Sequence, residues 1–196
     1  RGECLGIAGM VGSGRSELMT LLMGGAKKDA GEVFVDGVKV NFRMPSDAIR
    51  KKICYITEDR QYTGLFLKHT IARNSIIANL VNMKDLLISP KVDYEVGQKY
   101  IAELRTKATD ANTIVGQLSG GNQQKVVLAK WFNTKGEIFI FDEPTRGIDV
   151  GAKQEIYQIM MDLMRQGKCI IMVSSDMPEI VSMSDHIVVM KNGRVA

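Results

Sequence analysis

The sequence predicts an α/β fold with a mainly parallel sheet, because short apolar runs of strand length alternate along the chain with helical patterns. A second observation is that the first predicted strand leads directly into a glycine-rich turn and a helix. The chain has 196 residues, of which 45% are hydrophobic and 24% charged. It is therefore long enough to bury the core of one globular domain.

Six segments have the composition of strands or hairpins. Two of them contain an Asp-Gly or Asn-Gly pair, which favours a tight turn between antiparallel strands. The segments are ECLGIAG at 3–9, the hairpin GEVFVDGVKV at 31–40 with its turn at Asp36-Gly37, ICYIT at 53–57, EIFIFDE at 137–143, CIIMVSS at 169–175 and the hairpin HIVVMKNGRV at 186–195 with its turn at Asn192-Gly193.

Helical patterns separate these segments. We expect a first helix from about Ser13 to Met23, directly after the first strand. A second clear pattern covers 150–166, where apolar residues recur at helical spacing and Gly167 provides a stop. The residues expected to face the core are Ala152, Ile156, Ile159, Met160 and Leu163.

Strand patterns are absent between Gly64 and Leu118, and helical patterns replace them. Within this region Ser89 can cap a helix that begins at Pro90. Its expected apolar face consists of Val92, Val96, Tyr100 and Leu104.

We therefore predict one domain with two parts, a core formed by 1–65 and 118–196 and a helical subdomain formed by 66–117. The chain opens only a few residues before the glycine-rich turn, with no earlier strand. We expect it to be a piece of a longer protein.

Charge and cysteine content exclude several classes of protein. The formal net charge is +4, and the basic residues are spread along the chain, so we expect no nucleic-acid partner. The three cysteines lie in separate apolar runs, which disfavours a disulfide framework or a zinc site. No apolar run approaches the ~18 residues of a membrane span, so membrane association would need a partner.

The stretch GMVGSGRSEL has the spacing of a phosphate-binding loop. Such a loop works because backbone N–H groups and a helix N-terminus converge on an anion. A lysine is expected at the position of Arg15, and the following Ser16 can ligate Mg²⁺. The predicted phosphate-binding residues are Gly9, Gly12, Ser13, Gly14, Arg15, Ser16 and Glu17.

A matching acidic site follows the apolar run IFIF, which predicts a strand that ends at two carboxylates. Ligands of α/β sheets bind at this carboxyl edge. We expect Asp142 to hold Mg²⁺ together with Ser16, and Glu143 to polarise an attacking water.

The stretch QLSGGNQQKVVLAK predicts a second anion site, because Ser119 can cap a helix whose first turn contains two glycines. This motif resembles the signature of nucleotide-binding domains of ATP-binding cassette (ABC) transporters, which reads Leu-Ser-Gly-Gly-Gln. The corresponding residues are Leu118, Ser119, Gly120, Gly121 and Asn122, followed by Gln123 and Gln124.

A narrower resemblance comes from LSGGNQQKV together with DEPTRGIDVGAK, YITEDR and VSSDMPEI. These stretches resemble the second, C-terminal nucleotide-binding domain of bacterial monosaccharide importers of the ribose, xylose and galactose class. The resemblance covers nearly the whole chain, although 81–115 is matched only by type. It implies a P-loop NTPase fold with a RecA-like core, and ATP and Mg²⁺ as ligands.

In this family two cassettes are similar to the halves of a clamshell, and each ATP lies between the phosphate loop of one and the signature of the other. The resemblance therefore implies that Glu143 activates water in this chain's own site. It also implies that Asp149 lies at the interface of the two cassettes. The residues implied to reach the partner cassette's ATP are Ser119, Gly120, Gly121, Asn122 and Gln123.

Three positions depart from the family pattern. Arg15 replaces lysine, Glu58 stands where a glutamine usually senses Mg²⁺ and water, and Ser175 stands where a histidine usually contacts the γ-phosphate. We therefore expect an ATPase whose own phosphate site is degenerate, while its signature completes the site of the partner cassette.

The resemblance further implies a partner cassette on the same polypeptide, transmembrane permease subunits and an external sugar-binding protein reached through the complex. It places the chain at the cytoplasmic face of the bacterial membrane, with 58–66 and the helical subdomain receiving the permease. Two alternatives stay open: a soluble ABC ATPase that does not transport, and a regulatory nucleotide-binding module. The identity of the sugar is not encoded in these motifs.

Overall fold

The computed structural model describes residues 1–83 and 89–196. Their strands form one six-stranded sheet and one two-stranded hairpin. The strands are β1 (Cys4–Gly9), β2 (Val33–Val35), β3 (Val38–Val40), β4 (Ile53–Ile56), β5 (Ile138–Asp142), β6 (Cys169–Ser174), β7 (His186–Lys191) and β8 (Arg194–Val195). The α-helices are α1 (Arg15–Leu22), α2 (Pro45–Arg50), α3 (Ile71–Ile76), α4 (Pro90–Glu103), α5 (Gly120–Phe132), α6 (Val150–Arg165) and α7 (Met177–Met183).

The six-stranded sheet has the order β4-β5-β6-β1-β7-β8, which confirms the predicted α/β class. Strands β5, β6, β1 and β7 are parallel neighbours, and β8 returns antiparallel to β7. Asp142 lies opposite Val173, and Ile7 lies opposite Val173 on its other side. The carboxyl ends of β5, β6 and β1 therefore meet at one edge of the sheet.

Contacts divide the chain into two compact units, of which the first comprises Arg1–Tyr55, Glu137–Pro144 and Tyr157–Ala196. Its core forms between the parallel strands and α1, because the apolar side chains of both meet there. The buried members of this core are Ile7, Met19, Met23, Ala48, Ile53, Ile140, Val173 and Met190.

The second unit comprises Ile56–Gly136 and Thr145–Ile156 and contains α3, α4 and α5. Helices α3 and α4 approach closely at Gly97, where a Cβ atom would lie 2.9 Å from the Cα of Ala72. These units do not follow the predicted division into a core and a helical subdomain, which stays a prediction. The part of the predicted subdomain at 84–88 lies outside the described residues.

All the predicted strand segments are confirmed, with ends shorter by one or two residues. Helix α1 begins at Arg15 rather than near Ser13, because Gly12 and Gly14 have positive φ angles that no α-helix contains. Helices α2 and α7 were not among the predicted elements; both are short and begin at or beside a proline.

The predicted apolar face of α4 is partly wrong. The helix does begin at Pro90 with Ser89 as its cap, but Val92 is 44% exposed. The buried face instead contains Asp93, whose carboxylate pairs with Arg73 at 2.7 Å. A buried carboxylate is compatible with this face because a cation compensates it. None of the described helices has the length and apolar character that crossing a membrane requires.

A buried lysine in the second unit provides a test of this packing. Lys130 is 8% exposed, and its Nζ donates to the carbonyl oxygen of Gly64 at 2.6 Å. Burial lowers the pKa of Lys130 to about 8 from the usual 10.5. Between these two pH values the unfolded chain binds more protons than the folded chain, so Lys130 makes the folded chain more stable as the pH rises.

We predict that Lys130→Met removes this pH dependence. Relative to the variant, the wild-type chain should gain roughly 2–3 kcal/mol of unfolding free energy as the pH rises from about 8 to 10. Urea unfolding followed by circular dichroism at each pH measures the difference. Lys99→Met is the matched control: Lys130 lies over the ring of Trp131 and Lys99 over that of Tyr100, but Lys99 is 58% exposed. If the unfolding free energies of wild type and Lys130→Met change with pH in the same way, the ammonium of Lys130 is not desolvated.

Candidate functional site

The turn between β1 and α1 has the backbone of an anion-binding loop. A Cβ atom at Gly9 would lie 2.6 Å from the carbonyl oxygen of Met190 and 2.6 Å from the hydroxyl of Ser13, so only glycine fits there. Gly14 has a φ of +96° and forms the N-cap of α1 without a side-chain cap. The first N–H groups of α1 are therefore not capped by a side chain at this position.

Two polar groups of this loop are buried without a partner. Within the described part of the chain, Ser13 Oγ and Arg15 Nη1 have no hydrogen-bond partner, although the two residues are only 5% and 6% exposed. Unpaired donors in a buried site are costly, and an anion with several acceptor oxygens would satisfy them. The predicted loop residues thus provide a fit for phosphate groups.

Asp142, at the end of β5, lies beside this loop. Its Oδ1 accepts from Ser16 Oγ at 3.1 Å, and its Oδ2 accepts from the hydroxyl of Tyr55 at 2.7 Å. Burial raises the pKa of Asp142, and the two hydrogen bonds oppose that effect. The predicted pair of Ser16 and Asp142 is therefore in direct contact through Ser16 Oγ and Asp142 Oδ1.

Glu143 is held by two donors on a single oxygen. Its Oε1 accepts from Arg15 Nη2 at 3.2 Å and from the backbone N–H of Ser175 at 2.8 Å. The Arg15 and Glu143 side chains are 7% and 11% exposed, so the ion pair is shielded from water. Glu143 also has a φ of +46°, a strained conformation for a residue other than glycine.

The turn after β6 is fixed by a buried carboxylate that the sequence analysis did not identify. Glu179 is 5% exposed and accepts from the Ser174 hydroxyl at 2.5 Å and from the Tyr157 hydroxyl at 2.8 Å. Ser174 in turn accepts from the backbone N–H of Asp176 at 3.0 Å. These bonds hold the backbone at Ser175, whose N–H contacts Glu143.

In the second unit, the start of α5 forms a separate candidate site. Ser119 is the N-cap residue as predicted, but its side chain makes no cap hydrogen bond. Its Oγ instead accepts from Asn122 Nδ2 at 2.8 Å, while Asn122 Oδ1 accepts from the backbone N–H of Lys107 at 2.8 Å. The prediction that Ser119 caps the helix through its hydroxyl is therefore wrong, because Asn122 provides a competing partner.

The two glycines of the signature allow other chain segments to approach. A Cβ atom at Gly120 would lie 2.7 Å from Arg60 Nη2, and one at Gly121 would lie 2.8 Å from the Cβ of Ala152. Asp149 precedes Ala152 and accepts its N–H at 2.9 Å through Oδ1, so Asp149 caps the start of α6. A cavity of about 240 Å³ lies at this place, lined among others by Ser119, Asn122 and Asp149.

The remaining predicted residues are placed differently. Gln123 is 4% exposed and bonds internally to Val115 and Gln61. Glu17 is exposed on the first turn of α1. Glu58 forms an ion pair with Arg146. A nucleotide contact for each of these three stays a prediction.

Tyr55 and Arg60 are site-building residues that the sequence analysis missed. Both lie in the stretch YITEDR, in which Glu58 is the predicted site residue. A signal was available for Tyr55, because its hydroxyl is a polar group on an otherwise apolar strand. The partners of Arg60 are backbone carbonyls, which leave no trace in a sequence.

Three curated relatives cover this chain completely. The ribose import ATP-binding protein of Bacillus cereus is 44% identical over 196 residues, which are 40% of its own length. The arabinose import ATP-binding protein of Burkholderia thailandensis is 46% identical and matched over 38% of its length. The galactose/methyl galactoside import ATP-binding protein of Fusobacterium nucleatum is 46% identical and matched over 40%. The chain thus spans about two fifths of these relatives.

Solved structures confirm the P-loop NTPase fold. The ADP conformation of an ATP-binding cassette of an ABC transporter is 21% identical, with a TM-score of 0.82 over 100% of this chain and 79% of that chain. The dimeric structure of a bacterial ABC transporter cassette is 25% identical, with a TM-score of 0.80 over 99% of this chain and 83% of that chain. The ABC transporter family model matches residues 1–146. The chain therefore belongs to the ABC transporter family.

Proposed function

We propose that this chain is the second nucleotide-binding domain of a bacterial monosaccharide importer, where it binds ATP. The observation that supports this most directly is the pair of buried donors on Ser13 and Arg15, which have no partner among residues 1–83 and 89–196 and match the oxygens of a polyphosphate. The similarity to ribose, arabinose and galactose import ATP-binding proteins indicates the class of cargo. The ATPase activity of the whole importer is part of this proposal.

Ser16 and Asp142 would hold Mg²⁺, because hard divalent cations prefer hydroxyl and carboxylate oxygens. When bound there, Mg²⁺ would neutralise phosphate charge. Tyr55 has a positioning role, since its hydroxyl fixes one oxygen of Asp142 and leaves the other with Ser16.

In the proposed function the phosphate site of this domain is degenerate. Glu143 is the residue that would polarise water, and the bonds from Arg15 and the Ser175 N–H to its Oε1 restrain the carboxylate and leave Oε2 to accept a proton from water. Arginine is also planar and wider than lysine, which changes where its charge lies against a phosphate. Ser175 provides no imidazole for the transferred phosphoryl group.

The signature supports a second role, that of completing the ATP site of a partner cassette on the same polypeptide. Ser119 leaves the start of α5 without a side-chain cap, and its Oγ accepts from Asn122, so its O–H proton is available to an acceptor. Uncapped N–H groups at a helix start attract anions. Asp149, beside the same cavity, would contact the partner cassette.

The permease contact is proposed at 58–66, at the cytoplasmic face of the membrane. Tyr62 is 89% exposed and Phe66 is 54% exposed, so this segment presents aromatic surface that a partner helix can cover. An external sugar-binding protein would act through the same complex. The short helical region offers no extended basic arm for nucleic acid, which disfavours the alternative of a soluble ABC ATPase.

Tyr55→Phe tests the metal site. A carboxylate holds Mg²⁺ only when ionised, so binding is present above the pKa of Asp142 and is lost as the pH falls through it. Removing the Tyr55 hydrogen bond raises that pKa further. We expect Mg²⁺-dependent ATP binding, measured by calorimetry over an acidic to neutral series, to be lost at a higher pH in the variant. Tyr94→Phe is the control, and coincident curves for Tyr55→Phe and wild type would contradict the role of Tyr55.

The double variant Arg15→Lys, Ser175→His tests the degenerate site. In the whole importer, with the water-activating glutamate of the other cassette replaced by glutamine, wild-type turnover should be low. The double variant should raise it on the order of 10²-fold, because contacts to the transferred phosphoryl group are restored. Adding Glu143→Gln to the double variant should abolish the gain. Vigorous turnover by the wild-type site would contradict the degeneracy.

Ser119→Arg tests whether the signature completes the ATP site of the partner cassette. The long cationic side chain would fill the uncapped start of α5, so sugar uptake and ATP turnover by the whole importer should fall about 10²-fold or more. Ser89→Arg is the matched control, since Ser89 is also an exposed N-cap serine of the second unit. Uptake that persists in Ser119→Arg at the level of the control would disprove the proposed function.

A further inference from the structure

The geometry points to Arg60 as a positioning residue that holds the start of α5 and the turn before α6 in one arrangement. The inference rests on the proposed function, in which both segments contact the ATP of a partner cassette. It adds a direct mechanical connection between those segments and the one proposed to receive the permease. All the residues involved belong to the second compact unit.

The guanidinium of Arg60 binds two consecutive carbonyl oxygens. Its Nη1 donates to the carbonyl of Arg146 at 2.9 Å and its Nη2 donates to that of Gly147 at 3.1 Å. Gly147 has a φ of +67°. Glycine adopts this left-handed conformation without strain because it has no Cβ atom. The planar fork of arginine suits such a pair of acceptors, and a lysine cannot reach both with fixed geometry.

The same guanidinium also packs against the signature. A Cβ atom at Gly120 would lie 2.7 Å from Arg60 Nη2 and 3.1 Å from the carbonyl oxygen of Gly147. The absence of a side chain at the first residue of α5 thus leaves the room that both partners of this hydrogen bond occupy. We therefore expect a displacement of Arg60 to have two effects at once: it changes the position of the turn at Gly147, and it removes the packing of the guanidinium against Gly120.

The segment that contains Arg60 is itself fixed to α5 at two further points. The side chain of Gln61 donates to Gln123 at 3.4 Å, and the carbonyl oxygen of Gly64 accepts from Lys130 at 2.6 Å. Asp59 closes the local turn by accepting the N–H groups of Gln61 and Tyr62. The segment is consequently a compact turn that is held to α5 at several points, with Tyr62 exposed on its surface.

A second connection exists but is weaker. Glu58 pairs with Arg146, yet the two side chains are 37% and 61% exposed, and exposed ion pairs contribute little because water and salt screen them. Arg60, in contrast, donates two charge-assisted bonds from one planar group to two consecutive carbonyls; both bonds are exposed, and only its Nε is buried. Two bonds from one rigid fork fix the geometry more tightly than a single exposed ion pair does.

The experiment compares Arg60→Met with Arg146→Met in the whole importer reconstituted in liposomes, measuring ATP turnover, the KM for ATP and sugar transported per ATP. Arg60→Met should lower kcat about tenfold while KM changes less than about threefold, since nucleotide binding is intact and only the arrangement around the reacting phosphate is disturbed. Arg146→Met, which keeps the carbonyl acceptor, should stay within about twofold of wild type. Arg60→Lys should give an intermediate loss of kcat.

The outcomes separate this inference from the proposed function. If Arg60→Met keeps the wild-type kcat while Ser119→Arg is inactive, the role of Arg60 is wrong and the proposed function stands. If Ser119→Arg is also active, the proposed function is wrong. An equal loss in Arg146→Met would assign the connection to the exposed ion pair and overturn the role of Arg60. Should Arg60→Met fail to assemble, Arg60→Lys provides the same comparison of kcat with KM.

Discussion

The candidate phosphate site depends on the register of three parallel strands. Strand β6 lies between β5 and β1, with Val173 opposite both Asp142 and Ile7. Because parallel strands end at the same edge, the residues that follow them must meet there. A slip of β5 by one residue would exchange Asp142 for Phe141 on that face and separate the carboxylate from Ser16. The hydrogen bonds of the site are therefore consequences of the backbone pairing.

The proposed function gives Arg15 two roles at this site. One of its terminal nitrogens bonds Glu143, while the other is buried and has no partner in the described part of the chain. A buried cation that is compensated on one side favours an additional anion on the other. The same guanidinium holds the carboxylate that would have to accept a proton from water. In the proposed function, retention of ATP and restraint of Glu143 would therefore both depend on one side chain.

Much of this arrangement could be predicted from the sequence, because glycine spacing, strand composition and the carboxylates after β5 are local signals. The side-chain register of α4 could not, since the burial of Asp93 depends on Arg73, which lies on a different helix. Tyr55 was missed because nothing on its own strand shows which group its hydroxyl bonds, although that hydroxyl stands out among apolar neighbours. Its importance comes from a hydrogen bond to a residue 87 positions away. Such long-range pairs are set by topology, which a local pattern does not contain.

The starts of the helices show how a cap that is missing can indicate a ligand. In four of the described helices a side chain accepts an N–H of the first turn, so little donor capacity is left for an outside group. Helix α2 has no such side chain at its N-cap position, but it begins with a proline, which has no N–H to satisfy. Helices α1 and α5 have neither device, although a serine capable of capping stands directly before α5. The hydroxyl of that serine accepts a hydrogen bond from the Asn122 amide instead of from the helix. The two uncapped starts belong to the two predicted anion sites. The capped helices and their caps are α3 with Thr70, α4 with Ser89, α6 with Asp149 and α7 with Asp176.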